Sequence, residues 1–403
     1  MQPTSASAVL AAAAVLCLVP GCRPQRPAQA AAAAPFVLDH NRIMVEVELV
    51  RADGSLRPAT AWVDTGTQFL TVTGPLAEDL GLELTRETDG DGRTVVTAST
   101  PRGLRLAGVP LSLDGVAVRA QGNTVVWPAI HADATLPAAV FRGRRVVFDY
   151  PSRRIVLPAE DAPRPEGTAI PCRVNPETGL IQIQAEADGR LVRLGVDTGS
   201  AGTWVSRTVV EEWLARHPEW PRATGAAGSA NFFGFPSEAE GVLVRLPALG
   251  LGTLRAHDVA VLGQRPGMFE WYSTKSAGTV DGFIGANVLR GYRIEIDSPR
   301  AMTTWLPGPP PPAGDLDIVG LTLRPLSAGG FIVAGVVTRN GASVVPGVEP
   351  GDRLRRVDGL DADTARMGEV IEALRGEPGA RRTLVVDRDG TSLTVEAGVE
   401  RLP

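Results

Sequence analysis

Apolar and polar positions alternate over short runs along much of this chain, and clusters of turn residues break the runs. Ile43 to Val50 is one such run. Ala52-Asp53-Gly54 interrupts it, and a second apolar stretch then leads to Asp64. The order repeats in Leu180 to Ala185, Ala187-Asp188-Gly189 and Leu191 to Val196, which ends at Asp197. Asp-Gly between alternating runs predicts a β-hairpin, because these residues tolerate the backbone of a tight turn. Both aspartates are therefore expected just past the second strand of a hairpin. A short helix is predicted after each, over Pro75 to Leu80 and over Arg207 to Arg216.

The two hairpins end on the same tetrapeptide, Asp64-Thr65-Gly66-Thr67 and Asp197-Thr198-Gly199-Ser200. A further match lies downstream. Asp133-Ala134-Thr135-Leu136-Pro137 leads to Val146-Val147-Phe148-Asp149, as Asp281-Gly282-Phe283-Ile284-Gly285 leads to Ile294-Glu295-Ile296-Asp297. The second copy is longer in its middle, where a long loop would sit. A repeat of this kind predicts two carboxylates brought face to face. Two adjacent carboxyls cannot both ionise cheaply, so they share one proton. The ionised one can take a proton from water, and the protonated one can hydrogen-bond a carbonyl.

The pattern apolar-Asp-Thr-Gly-Ser/Thr, followed by Asp-Gly-apolar-Ile-Gly-x-x-x-Leu, resembles the retropepsin-like and pepsin-like aspartic proteases over roughly residues 40 to 306. The resemblance implies a mainly β fold with two tandem barrel-like lobes, 36–160 and 169–306, and one catalytic dyad, Asp64 and Asp197, between them. Carried over by position, Thr65 and Thr198 would cross-link the two loops through their hydroxyls. Gly66 and Gly199 would allow close backbone approach. Thr67 and Ser200 would donate to the neighbouring aspartates, which implies an acid-shifted activity. Two departures stand out. Pro137 replaces the glycine of the late motif in the first lobe, so that turn is not expected to pack in the standard way. The flap candidates are Gly225 to Gly234 and a turn at Asp89-Gly90-Asp91-Gly92-Arg93, where no tyrosine lies near.

Both ends of the chain read differently. Ala8 to Val19 is too short an apolar run to span a bilayer and reads as a signal-peptide core within 1–21. Val19-Pro20-Gly21-Cys22 resembles a bacterial lipobox, which implies a lipidated Cys22, a flexible tether over 22–35 and an exported protein of the cell envelope, anchored to a membrane. The proline-rich stretch 307–315 reads as a stiff linker. Beyond it, Gly347-Val348-Glu349-Pro350-Gly351-Asp352-Arg353-Leu354 resembles the core signature of PDZ domains, giving an α+β unit over 316–403. Met367, Val370, Ile371 and Leu374 fall on one helix face. The resemblance implies peptide binding by strand addition, of C-termini or extended segments. Gly329, Gly330, Phe331 and Ile332 would form its carboxylate loop and edge strand, and Met367 with Arg366 the open end of its groove.

Composition narrows the alternatives. The net charge is −5, and the arginines are spread along the chain rather than clustered, so no nucleic-acid partner is indicated. His40, His131, His217 and His257 show no metal-ligand spacing, and neither metal nor cofactor is expected. Cys172 has no expected disulfide partner once Cys17 and Cys22 are set aside. The functional reading is an aspartic endopeptidase acting on polypeptides. Two alternatives are a catalytically inactive peptide-binding scaffold and a dyad paired between two chains.

Overall fold

Three antiparallel strands open the described chain. Ala32–Asp39 turns into Arg42–Val50, and that strand into Leu56–Asp64. The first turn carries His40 and Asn41 at φ 48° and 64°, in the left-handed region that short polar residues tolerate best. In the second turn Gly54 has φ 88°, and the Ser55 N–H donates to Asp53 Oδ1 at 2.8 Å. The strand beginning at Ala32 takes in residues that the sequence reading leaves in the 22–35 tether. This computed structural model describes residues 31–88, 94–120, 127–311 and 314–403. The expected signal peptide, Cys22 and the turn at 89–93 lie outside them. The chain is mainly β, 47% strand and 15% helix, and includes a closed β-barrel.

The opening pattern recurs in the middle of the chain, where Ile181–Ala187 pairs antiparallel with Arg190–Val196. Each aspartate-bearing strand then gains a parallel neighbour from the late match. Ala134–Pro137 sets Leu136 opposite Val63, and Gly282–Ile284 sets Ile284 opposite Val196. A carboxylate fixes each pairing. Asp133 accepts from the Thr60 N–H at 3.0 Å. Asp281 accepts from the Arg193 N–H at 2.8 Å and grips the same residue's guanidinium at 2.7 and 2.8 Å.

Pro137 does not block the turn that follows it. Its φ of −75° and ψ of 164° are extended, which the pyrrolidine ring accepts. The chain then enters a 3-10 turn at Ala138–Phe141, as the other copy enters a helical turn at Ala286–Leu289. The Ala138 N–H donates to Thr67 O at 3.2 Å, matching Ala286 N–H to Ser200 O at 2.9 Å. The bond made by the Gly285 N–H to Thr203 Oγ1 has no counterpart at Pro137, because proline has no N–H.

Arg145–Asp149 pairs antiparallel with Tyr292–Asp297 and so joins the two copies through one sheet. The C-terminal segment forms a separate sheet in the order Leu321–Pro325, Phe331–Val336, Arg353–Val357, Arg381–Arg388, Thr391–Gly398, with the helix Met367–Leu374 against it. Alternate residues of the first hairpin feed opposite cores, as the two-residue period of a strand requires. Ile43, Val45, Ala61 and Val63 join Leu194 and Val196 in one core. Met44 and Trp62 join Trp204, Phe233 and Phe283 in a second, which continues into Leu321, Leu323, Phe331 and Met367. The C-terminal segment therefore packs over the face on which Trp62 lies. Asp64, two residues on, has the same facing.

Candidate active site

Asp64 ends its strand and Asp197 directly follows its own, and the loops after them interlock. Thr65 Oγ1 donates to Val196 O at 2.7 Å, and Thr198 Oγ1 donates to Val63 O at 2.8 Å. Each hydroxyl also accepts the other threonine's N–H, at 3.2 and 3.0 Å. Both threonines are buried, so these four reciprocal bonds have no water to compete with them and fix the two loops against each other.

Glycine is required between these threonines and the next hydroxyls. A Cβ on Gly66 would lie 2.6 Å from the Asp197 carboxyl carbon, and one on Gly199 would collide with the Asp64 carboxyl carbon. Each glycine thus lies under the opposite aspartate. The Gly66 N–H donates to Asp64 Oδ1 at 2.9 Å, and the Gly199 N–H to Asp197 Oδ1 at 2.9 Å.

The carboxyls are half-buried and within hydrogen-bonding reach of each other. Burial, then the charge of Asp197, pushes the Asp64 carboxyl well above the usual carboxylate range. Burial also raises Asp197, to about 6, while the amides of Gly199, Ser200 and Gly66 and the Asp64 hydrogen bond pull it back. Two carboxyls buried side by side both rise, and the pair holds one proton between them.

The third hydroxyls do not serve as expected. Ser200 Oγ donates to Gly202 O at 2.7 Å, and its backbone N–H, not its hydroxyl, reaches Asp197 at 3.1 Å. Thr67 Oγ1 accepts from the Phe69 N–H at 3.4 Å. Neither hydroxyl therefore donates to a carboxylate, the role on which an acid-shifted profile was expected.

The face around the dyad is roofed by residues 225–241, which join the strands Arg222–Thr224 and Val242–Leu251. A buried carboxylate shapes this loop. Glu238 accepts from the N–H groups of Phe232, Phe233, Gly234 and Phe235 at 2.7 to 3.2 Å and from Asn231 Nδ2 at 2.9 Å. The bonds set the rings of Phe232 and Phe233 onto the dyad face. Phe232 lies 4.9 Å from Trp204 and 6.1 Å from Trp62, and Phe233 lies 5.7 Å from Trp62. The turn between Leu84–Thr88 and Thr94–Ala98, the other flap candidate, falls outside the described residues.

Two residues near the dyad were not foreseen. Tyr272, in the helix Pro266–Ser273, lies within electrostatic reach of both aspartates and packs edge-on to Phe283 at 4.5 Å. Arg42 is completely buried on the dyad face. The hairpin register, extended by one pair from Ile43 opposite Val63, could have located it, because it sets Arg42 opposite Asp64.

The predicted peptide groove needs correction. Gly329 and Gly330 form a hairpin turn with φ 88° and 78°. Phe331 and Ile332 are paired on both sides, Phe331 with Pro325 and with Leu354, so they offer no open edge. Met367 is buried and its sulfur lies 4.0 Å from the Arg42 guanidinium, which closes the expected open end. Of the sheet's two edge strands, Leu321–Pro325 and Thr391–Gly398, the one beside Phe331–Val336 is Leu321–Pro325, and Asn231 already holds it. Asn231 Oδ1 accepts from the Leu323 N–H at 2.8 Å, and its Nδ2 donates to Leu323 O at 3.1 Å. Comparison with protein-family models and with curated proteins gave no match to this chain.

Proposed function

We propose that this chain is an aspartic endopeptidase that carries both lobes of its catalytic unit. The observation that carries this reading is the reciprocal Thr65–Thr198 lock, with each glycine seated under the opposite aspartate. Asp197, ionised, takes a proton from a water molecule as that water attacks the scissile carbonyl. Asp64, protonated, hydrogen-bonds the carbonyl oxygen as negative charge develops on it. Collapse of the tetrahedral intermediate returns the proton to the leaving amine. Substrate is an extended polypeptide lying along the face that Trp62 and Trp204 flank.

The C-terminal segment is read as a PDZ domain whose binding edge is Leu321–Pro325. With Asn231 on that edge, recruitment of a peptide there must displace the loop that roofs the dyad, so peptide capture and cleft opening become one event. Export, lipidation at Cys22 and attachment to the cell envelope belong to the same reading. A second reading, a peptide-binding scaffold without catalysis, draws on the covered dyad face. Incubating the exported portion with an unbiased peptide mixture tests both. Cleavage that needs both aspartates supports the enzyme, and binding without cleavage supports the scaffold.

A further inference from the structure

We propose that Arg42 is a positioning residue for the dyad, a fixed buried cation on the aspartates' own face that stabilises the singly charged state of the pair. The inference rests on reading Asp64 and Asp197 as one catalytic pair. Its first support is register. Ile43 lies opposite Val63 and Met44 opposite Trp62, so Arg42 is the next cross-strand position, facing Asp64. The period of two puts Arg42 and Met44 on one face, with Trp62 and Asp64 beside them.

The guanidinium is held in place by its surroundings. Nη2 donates to Phe232 O at 2.6 Å, and both terminal nitrogens lie 4.0 Å from Met367 Sδ. The guanidinium carbon is 4.4 Å from the centre of the Phe233 ring and 5.8 Å from that of Trp62. Among the described residues no carboxylate forms an ion pair with it. Burial lowers Arg42 to about 10, offset by the more distant charges of Asp39, Glu238, Asp64 and Asp197. It remains a cation at neutral pH, and a desolvated cation needs negative charge nearby. Asp39 and Glu238 act on it most strongly, and the dyad adds its charge from the same face.

The second copy of the repeat sharpens the assignment. Gln182 lies opposite Gly195 there, so the residue facing Asp197 is Leu180, buried and apolar. One cation therefore serves both carboxyls, from the Asp64 side. Other titratable groups face the same region. They are Asp39 and His40 from the first turn, Glu238 from the roof, Tyr272 from its helix, Tyr150 near Asp197, and Arg366 and Glu369 from the C-terminal helix. Arg42 acts on Asp64 in the direction that favours its anion.

A purely structural Arg42 would hold the roof through Phe232 O and have no effect on titration. Two substitutions separate the roles. Arg42→Gln keeps a donor and loses the charge; Arg42→Lys keeps the charge and loses the fork. The full exported chain, labelled with carboxyl-¹³C aspartate, would be titrated by NMR, with Asp64→Asn and Asp197→Asn assigning the dyad signals. The lower titration of the pair is expected to rise by about 1 unit in Arg42→Gln and to stay in place in Arg42→Lys. A wild-type titration in Arg42→Gln, or an equal shift in Arg42→Lys, overturns the proposal. If Arg42→Gln does not fold, the position of the titration in Arg42→Lys decides alone. If neither folds, Arg42 is a structural anchor and the proposal fails. The titration is read without turnover, so an inactive wild-type chain would count against the endopeptidase reading and leave the test of Arg42 intact.

Discussion

At the scale of single residues, the dyad's two raised carboxyls make opposite demands on pH. In the proposed mechanism one carboxyl of the pair is ionised and the other protonated, so the rate should rise through about pH 6 and fall only well above it. A pH–rate profile with its maximum below pH 5 would contradict this. Stability has the reverse sign at Asp197. A carboxyl raised on folding favours the folded state while it is protonated, and that contribution is lost as pH rises through its folded value. Asp197→Asn should therefore raise Tm above pH 6, by about 2 °C or more at pH 8, and leave it nearly unchanged at pH 3. Thermal scans at the two pH values check this. Thr198→Val should cost about 2–4 kcal/mol in denaturant unfolding, because Val63 O and the Thr65 N–H both lose a buried partner. The tetrapeptides were legible because their chemistry is local. The destinations of the Ser200 and Thr67 hydroxyls were not, since a backbone carbonyl at Gly202 and an amide at Phe69 compete for them, and only the folded loop decides the competition.

At the scale of elements, the loop 225–241 is shaped from within by Glu238 and held from outside by Asn231 on Leu323, Thr322 on Ala226 and Arg42 on Phe232 O. Asn231→Ala would leave the Leu323 N–H and C=O unpaired and should cost about 2 kcal/mol. Hydrogen exchange should quicken across Phe232 to Phe235 and at Leu323 while the Thr65–Thr198 loops stay protected. Uniform exchange in the variant and the wild type would show that the loop is held without Asn231, by its other hydrogen bonds and its aromatic packing. The hairpins could be read from Asp-Gly turns and alternation, and their register follows from those turns. The C-terminal segment was harder. Its helix face showed in Met367, Val370, Ile371 and Leu374, but a surface groove and a covered interface look alike in a sequence. Arg42 and Asn231, remote in the chain, close off Met367 and Leu323, and strand pairing closes off Phe331 and Ile332. Pro137 taught the opposite lesson, because an extended position accepts proline where the sequence suggested a broken turn.

At the scale of the molecule, the second core draws residues from all three segments, so the C-terminal unit should not melt by itself. Calorimetry is expected to give one transition; a separate early transition for the C-terminal unit would contradict the shared core. The same sharing connects substrate access to the docking of that unit, since Met44, Trp62 and Trp204 are buried beneath it and the roof loop. Whether the interlocked loops perform chemistry is the central claim. Its most direct measurement is cleavage of an unbiased peptide mixture by the chain lacking residues 1–30, from pH 3 to 9, beside Asp64→Asn and Asp197→Asn. Cleavage by the wild type is expected, strongest above about pH 6, with a loss of about 10³-fold or more in each variant. Cleavage that persists in either variant, or none by a folded wild type that still binds peptides, would contradict it.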